Sequence, residues 1–291
     1  MKSFEEFKQM VADTIKNYLP DSYKECTVTI QNVDKPNGVF LTGIIVHLGT
    51  GIAPTVYLEP YYDLYKRGEK VENVIRQIAE IICKGELHID GQEVRNFISE
   101  HWRSNVYMVL VNREHSASYI KNFVKRDLLD LCIVYDIQME IGDERGNVRI
   151  TKDILRMLGV TEEELYKVAL KNTSEASQVL PIASVLAEMG MPVDGDFDMP
   201  PIIVVTNKEK IRGAACILAN NVTQYLNHIK TDLYVIPSSI HEMLVVPVDL
   251  EAGEGLRELI PQVNGTVVSQ EEFLSDNLYI YRYQTGELEI A

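Results

Sequence analysis

The chain has 291 residues, 46% of them apolar, and its 28 Lys and Arg against 43 Asp and Glu give a formal net charge of −15. A protein of this length and composition can bury a large core and forms one or two domains. The negative charge argues against direct binding to nucleic acid or to anionic membranes, because both surfaces are themselves negative.

The N-terminal part of the sequence alternates helices with strands. Ser3 and Glu6 form a capping-box pattern, which predicts that a helix begins there. The next predicted elements are two strands, a third short strand and a helix, over Cys26–Asn32, Val39–Leu48, Thr55–Leu58 and Glu69–Cys83. Pro36-Asn37-Gly38 separates the first two strands, and because Asn and Gly tolerate positive φ, this turn predicts a hairpin.

The middle of the sequence extends the alternation. Its predicted elements are a strand at Val106–Val111, a helix at Glu114–Asn122, a long strand at Leu128–Ile141 that pairs with Val148–Ile150, and helices at Lys152–Leu158, Glu162–Lys171 and Ala176–Met189. Gly159 is the expected end of one of these helices, and the Thr161-x-x-Glu164 capping box is the expected start of the next.

The clearest boundary is the Pro-, Gly- and Asp-rich segment 192–201. It predicts an N-terminal α+β region over residues 1–191, with a sub-boundary near 90, a linker over 192–201, and a C-terminal α+β domain over 202–291 with ββαββα-like order. Hairpins mixed with helices favour an α+β fold in two lobes, with largely antiparallel sheets and flanking helices. In the C-terminal domain, Ile202–Thr206 and Ala214–Leu218 are predicted to form a hairpin across Asn207–Gly213. As an alternative, Gly213–Leu218 continues into a helix and gives a parallel strand pair.

The segment Thr231–Asp249, TDLYVIPSSIHEMLVVPVD, brings a hydroxyl, an imidazole and a carboxylate together between two apolar runs. Ser239, His241 and Glu242 are therefore the candidate catalytic residues. In a strand, Ser239 and His241 share a face while Glu242 points the other way, which disfavours a linear triad. The sequence also lacks a G-x-S-x-G motif. A structural turn between two strands is the competing interpretation.

The candidate binding residues are tyrosines and one asparagine. Tyr57, Tyr61 and Tyr65 cluster in the segment YLEPYYDLYKRG, and exposed tyrosines form good protein-binding patches. The same tyrosines are equally consistent with a half-buried core. Asn207 follows an apolar strand and is a candidate for binding a partner or for assisting catalysis.

No pattern in the sequence predicts a metal or a cofactor. The histidines lack the spacing that places two imidazoles on one metal ion, and the run Asp194-x-Asp196-x-Asp198 has Met199 where a calcium loop needs glycine. Neither a Walker-type loop nor G-x-G-x-x-G occurs. The four cysteines are widely separated in apolar contexts, which indicates a reducing compartment. With neither a signal peptide nor an apolar run of about 20 residues, the protein is expected to be cytoplasmic.

Several segments together resemble one known family. They include Val204–Lys208, Gly213–Ala215, Asp232–Glu242 and Leu274–Asp276, with Ala53–Leu58, Leu129–Tyr135 and Gly159–Tyr166 earlier in the sequence. In these segments the protein is similar to uncharacterised proteins of clostridial bacteria, many from gut, that carry a domain of unknown function. The resemblance covers nearly the whole chain and implies a bacterial cytoplasmic protein. It implies no substrate, cofactor or catalytic residue.

These observations favour a non-enzymatic protein that binds another macromolecule, in the first place another protein. One alternative is a hydrolase or transferase with its site at Ser239 and His241, assisted by Asn207 or Glu242. Another alternative is an acidic mimic of nucleic acid, whose carboxylates concentrate on one face.

Overall fold

The computed structural model describes residues 2–49, 51–85, 87–141, 144–188, 190, 201–248 and 253–291. The chain divides into two compact units. The first consists of Met1–Lys35, Val39–Glu100 and Glu140–Arg145, and the second of Pro36–Gly38, His101–Met139 and Gly146–Ala291.

The first unit combines small antiparallel sheets with helices. Its elements are α1 (Phe4–Thr14), 3-10 turns at Ile15–Tyr18 and Asp21–Tyr23, β1 (Thr27–Asp34), β2 (Phe40–His47), β3 (Gly51–Ile52), β4 (Thr55–Tyr57), α2 (Glu59–Lys66), α3 (Val71–Lys84) and β5 (Leu87–Asp90). The order of the main sheet is β1-β2-β4, and β3 pairs with β5. The predicted hairpin is confirmed, because β1 and β2 pair from Thr27 opposite His47 to Asp34 opposite Phe40.

The core of the first unit lies between its helices and its sheet. The Ser3 hydroxyl accepts a hydrogen bond from the Glu6 N–H and completes the capping box that begins α1. One face of α3 is apolar at helical spacing and is buried in the core, for example through Ile78 and Ile82. Burial of these faces stabilises the short helices, which are marginal in isolation.

The second unit contains most of the chain. Its elements are the end of α4 (Gly91–Asn105), β6 (Val106–Asn112), β7 (Lys125–Leu128), most of β8 (Leu131–Ile141), part of β9 (Glu144–Arg149), α5 (Lys152–Leu158), α6 (Glu162–Ala176), β10 (Ser177–Pro181), α7 (Ile182–Glu188), β11 (Ile203–Asn207), a 3-10 helix (Gly213–Leu218), α8 (Asn220–Asn227), β12 (Leu233–Ser239), β13 (Glu242–Pro247), α9 (Gly253–Val267), β14 (Tyr279–Arg282) and β15 (Glu287–Ile290).

Two antiparallel sheets organise the second unit. One has the order β6-β8-β7, with β9 also paired to β8. The other has the order β10-β11-β13-β12-β14-β15, and each of its neighbouring strands pairs antiparallel. Mixed helices and mostly antiparallel sheets confirm the predicted α+β class.

Helix α6 covers the edge of β6. The Asn172 amide donates to the Val106 carbonyl, and the Thr173 hydroxyl accepts from the Met108 N–H. Strand edges leave backbone groups without partners, so these side chains satisfy groups that a further strand would otherwise take.

Three predicted elements are wrong. Glu114–Asn122 is a series of turns rather than a helix, with the Ser116 hydroxyl bonded to Asn37, which is far away in the sequence. The predicted helix at Ala176–Met189 begins instead as β10, because Ser177–Pro181 pairs with β11. The predicted strand at Ala214–Leu218 is part of a 3-10 helix, as in the helical alternative. The parallel strand pair of that alternative is absent from the described structure, because β11 and β12 each pair antiparallel with β13.

The remaining expectations about organisation stay predictions. Residues 192–200 of the expected linker lie outside the described residues, as do Asp194, Asp196 and Asp198. Within the part of the chain that is described, no helix is long and apolar enough to cross a membrane.

Candidate functional site

The loop that follows β11 is held in one conformation by its own polar groups. The Asn207 amide donates to the Ile211 carbonyl, and its oxygen accepts from the Ile211 N–H. Arg212 then adopts a left-handed conformation, with φ of 53°. Such a conformation is unfavourable for arginine and persists only where the surroundings impose it. The loop therefore presents Arg212 in a fixed position.

The turn between β12 and β13 supports this loop. Nδ1 of the His241 ring accepts a hydrogen bond from the Arg212 N–H at 3.0 Å. A neutral ring that accepts at Nδ1 carries its hydrogen on Nε2, which lies 3.2 Å from Glu272 Oε1. Hydrogen bonds from the Ser269 hydroxyl and from His241 keep the pKa of Glu272 below its usual value. Both ring nitrogens are thus engaged.

Ser239 and Glu242 lie beside His241 but are not joined to its ring in the described structure. The Ser239 hydroxyl accepts a hydrogen bond from the His241 backbone N–H at 3.1 Å. The Glu242 carboxylate lies 3.5 Å from the Ser238 hydroxyl, which donates to it. The fold brings the three predicted residues together as a turn, with the hydroxyl bonded to the backbone rather than to the imidazole.

A buried ionic cluster lies next to this loop. Asp136, in the middle of β8, accepts hydrogen bonds from Arg149 Nε and Nη2 and from Arg212 Nη1. The Asp136 side chain is 5% exposed and that of Arg149 12%, whereas that of Arg212 is 41% exposed. Burial alone lowers the pKa of Arg149, but the Asp136 carboxylate outweighs it, and the net shift is upward. The Arg149 guanidinium therefore stays charged.

The cluster forms the inner end of a polar cleft. A narrow inner part of about 40 Å³ is lined by Asp136 and Arg212, together with Tyr107, Cys216 and others. A wider part of about 290 Å³ continues past Tyr107 and Gln138. Its other lining residues are polar for the most part: Ser104, Asn172, Glu175, Ala176, Asn207, Lys208 and Glu209. Tyr107 lies directly opposite Asp136 across the β6–β8 pair, so their side chains share a face.

Two groups in the cleft are held in their neutral forms. Burial raises the pKa of the Cys216 thiol to about 12, so the thiolate that would act as a nucleophile is not populated near neutral pH. Burial, and then the charge of Glu175, raise the pKa of the Tyr107 hydroxyl. Tyr107 is therefore a hydrogen-bond donor across the physiological range.

The predicted tyrosines lie in the first unit, far from Asn207 in the sequence. Tyr57 lies in β4, with the Lys35 ammonium 4.4 Å from its ring centroid. Tyr65 stacks on Phe7 of α1 at 5.6 Å, and burial raises the pKa of Tyr61. These rings are half-buried side chains of α2 and β4.

Sequence reasoning missed the three charged residues of the cluster at the inner end of the cleft. One signal was available, because Asp136 interrupts the apolar run of β8 and a charge inside such a strand needs a partner. Arg149 and Arg212 gave no comparable local signal. As for metals, the described residues contain no group of three or more His, Cys, Asp or Glu side chains placed to hold an ion.

Comparison with known proteins gives one match. The family model described as "Family of unknown function (DUF5688)" matches residues 4–283. Among curated proteins and among solved structures, nothing matches.

Proposed function

Because the chain belongs to the DUF5688 family, whose function is unknown, we propose its role from the geometry of the second unit. It is a non-enzymatic cytoplasmic protein that binds another macromolecule, and the polar cleft holds part of that partner. The observation that carries the proposal is the cleft itself, which ends at the fixed cation Arg212 above the buried Asp136.

Ser239 and His241 already make the hydrogen bonds that a catalytic pair would need to have free, and this supports binding rather than catalysis. A serine nucleophile needs a base that takes its proton, and a base needs a free ring nitrogen. The Ser239 hydroxyl is bonded to a backbone N–H, and the His241 ring holds the Arg212 loop and Glu272. The alternatives of an enzyme at Ser239 and His241, and of a nucleic-acid mimic, have no comparable observation in their favour.

The lining of the cleft supports a large partner rather than a small ligand. Small-molecule sites are mostly apolar and enclose most of their ligand. The wide part of this cleft is lined mainly by polar side chains, among them the exposed Gln138, Lys208 and Glu209. Such a lining suits a group that projects from a larger surface. The net charge of −15 favours a protein over a nucleic acid.

The cysteines support the cytoplasmic part of the proposal. None of Cys26, Cys83, Cys132 and Cys216 forms a disulfide in the described structure, and all but Cys83 are buried. Free thiols persist in reducing compartments.

Site-specific photo-crosslinking in cells that make the protein tests the proposal. A benzophenone amino acid replaces the exposed Gln138 at the cleft or, as the matched control, the exposed Gln224 of α8, which does not line it. We expect a discrete cross-linked protein at position 138, lost with Arg212→Gln and retained with Ser239→Ala. The same products at both positions, or none at position 138, would contradict the proposal.

A further inference from the structure

We propose that the inner end of the cleft is a carboxylate-binding subsite and that Arg212 holds the carboxylate. This inference rests on the proposed function and deepens it, because it names the chemical group of the partner that the cleft receives. Its test uses small carboxylates and does not require the partner.

The cluster around Asp136 has more cations than anions. Arg149 binds Asp136 through two parallel hydrogen bonds, from Nε to Oδ1 and from Nη2 to Oδ2. This fork-to-fork pair is neutral by itself, and it leaves Arg149 Nη1 buried without a hydrogen-bond partner among the described residues. Arg212 adds a second cation through one hydrogen bond, from Nη1 to Asp136 Oδ2 at 2.9 Å. The cluster of two arginines and one aspartate therefore carries one surplus positive charge.

The surplus positive charge lies on Arg212. Arg149 is enclosed, whereas Arg212 is 41% exposed and lines the cleft. Nε and Nη2 of Arg212 have no hydrogen-bond partner among the described residues. A guanidinium with two donors left over is matched in geometry to the two oxygens of a carboxylate. The cation of the cleft is thus available to a ligand.

The loop that carries Arg212 is held in one conformation by hydrogen bonds. The left-handed backbone of Arg212 is fixed by its N–H bond to His241 and by the Asn207 amide group, which closes the preceding loop. The next residue, Gly213, donates its N–H to the His241 carbonyl. Because the loop is already ordered, binding does not have to order it, and the loss of conformational entropy is small.

The charges of the cleft favour a carboxylate over a phosphate. One surplus charge matches a monoanion. Glu175 and Glu209 line the same cleft and, because Lys208 offsets only one of them, they repel a second negative charge. The Tyr107 hydroxyl and the Gln138 amide have no hydrogen-bond partner in the described part of the protein. Both line the cleft, and they can donate hydrogen bonds to a ligand oxygen that Arg212 does not reach. An acidic side group or the terminal carboxylate of a partner protein supplies such a ligand.

Isothermal titration calorimetry of the full-length protein at low ionic strength tests the inference. The probes are N-acetylglycine and acetate, with acetamide as the uncharged isostere and inorganic phosphate as the competing anion. For a single arginine–carboxylate contact we expect a dissociation constant on the order of 1 mM. Acetamide is expected not to bind, and phosphate is expected to bind more weakly than N-acetylglycine.

Variants identify the residue responsible. Arg212→Gln is expected to weaken the binding of N-acetylglycine at least tenfold, while Arg257→Gln, at an exposed arginine of α9, leaves it within twofold. Tyr107→Phe is expected to weaken it severalfold, and this variant decides the question if Arg212→Gln does not fold. Equal binding by wild type and the Arg212 variant, tighter binding of phosphate, or no saturable binding of any carboxylate would overturn the inference. Failure here, with a cross-link at position 138 intact, would leave the proposed function standing.

Discussion

Two aspartates at β8 of the second unit are satisfied in opposite ways. Asp136 binds two arginines and lies in the cleft. Asp130, just before the strand, accepts hydrogen bonds from the hydroxyls of Ser275 and Tyr279 at 2.6 and 2.7 Å and from the Asn277 amide at 3.0 Å. The donors around Asp130 are therefore neutral, whereas those around Asp136 are charged.

The difference separates a structural acid from one that belongs to a site. Neutral donors stabilise the Asp130 carboxylate and tie the segment Leu274–Leu278 to β8 without leaving a cation behind. The two arginines around Asp136 exceed its charge by one. Buried ion pairs of this kind contribute little net stability, and we therefore assign the pair at the end of the cleft to the proposed binding site.

The largest expected effect is that of Asp136→Asn. The substitution leaves Arg149 buried without a counter-ion, and it should lower the free energy of unfolding by about 3–5 kcal/mol. Asp130→Asn is the matched control, because its neutral donors lose only part of an acceptor, and we expect a loss of about 1–3 kcal/mol. Urea unfolding measures both. An equal or larger loss for the Asp130 variant would break the comparison.

Gly213→Ala tests the loop that positions Arg212. A Cβ at this position would lie 2.5 Å from both Asn207 N and Thr206 Oγ1, and 2.9 Å from the His241 carbonyl oxygen. We expect a loss of about 1–3 kcal/mol in the free energy of unfolding, because the loop must move. Gly255→Ala in α9 meets nothing within 4 Å and should be neutral or stabilising by up to about 1 kcal/mol. Thermal or urea unfolding of both variants checks the contrast. Unchanged stability of the Gly213→Ala variant would contradict it.

Tyr279→Phe sharpens the Asp130 side of the comparison through pH. Burial raises the pKa of Tyr279, the Ser275 hydrogen bond opposes that shift, and the Asp130 carboxylate adds to it. Unfolded tyrosine loses its proton near pH 10, before the folded residue does, so the free energy of unfolding falls as pH rises above about 10.

The variant loses about 1 kcal/mol at neutral pH and should show a shallower alkaline decline than wild type. Urea midpoints at pH 8, 10 and 11 give both slopes. Parallel curves for the two proteins would show that Tyr279 does not ionise differently on folding.

Arg212→Gln should have the smallest effect on stability. The side chain is 41% exposed and Asp136 keeps both of its hydrogen bonds from Arg149, so we expect a loss of about 0–1 kcal/mol. A loss as large as that of Asp136→Asn, measured by urea unfolding, would mean that Arg212 is structural.

Local patterns in the sequence predicted the hairpin and the starts of helices α1 and α6. The Thr161 cap needs only its own neighbours to form. The Asn37-Gly38 turn was predictable because both residues tolerate positive φ, which is 61° at Asn37. Local patterns failed where distant residues decide the structure. Ser177–Pro181 has a helical context on both sides but is a strand because β11 pairs with it.

The candidate site could be predicted only in part. Ser239, His241 and Glu242 were found because they are adjacent in sequence, yet the structure uses them to support a loop. Arg149 and Arg212 reach Asp136 from 13 and 76 residues away in the sequence. The predicted pairing of Leu128–Ile141 with Val148–Ile150 brings Arg149 towards Asp136. The left-handed conformation that positions Arg212 has no local signature in the sequence.

The most direct test of the carboxylate site is the NMR signal of the Arg212 Nε–H group, assigned by its loss in Arg212→Gln and followed while N-acetylglycine is added. We predict a saturable shift of this signal that acetamide does not produce, with the Arg257 signal unchanged. An Arg212 signal that does not move at saturating carboxylate, or that moves no more than that of Arg257, would contradict the account of the cleft.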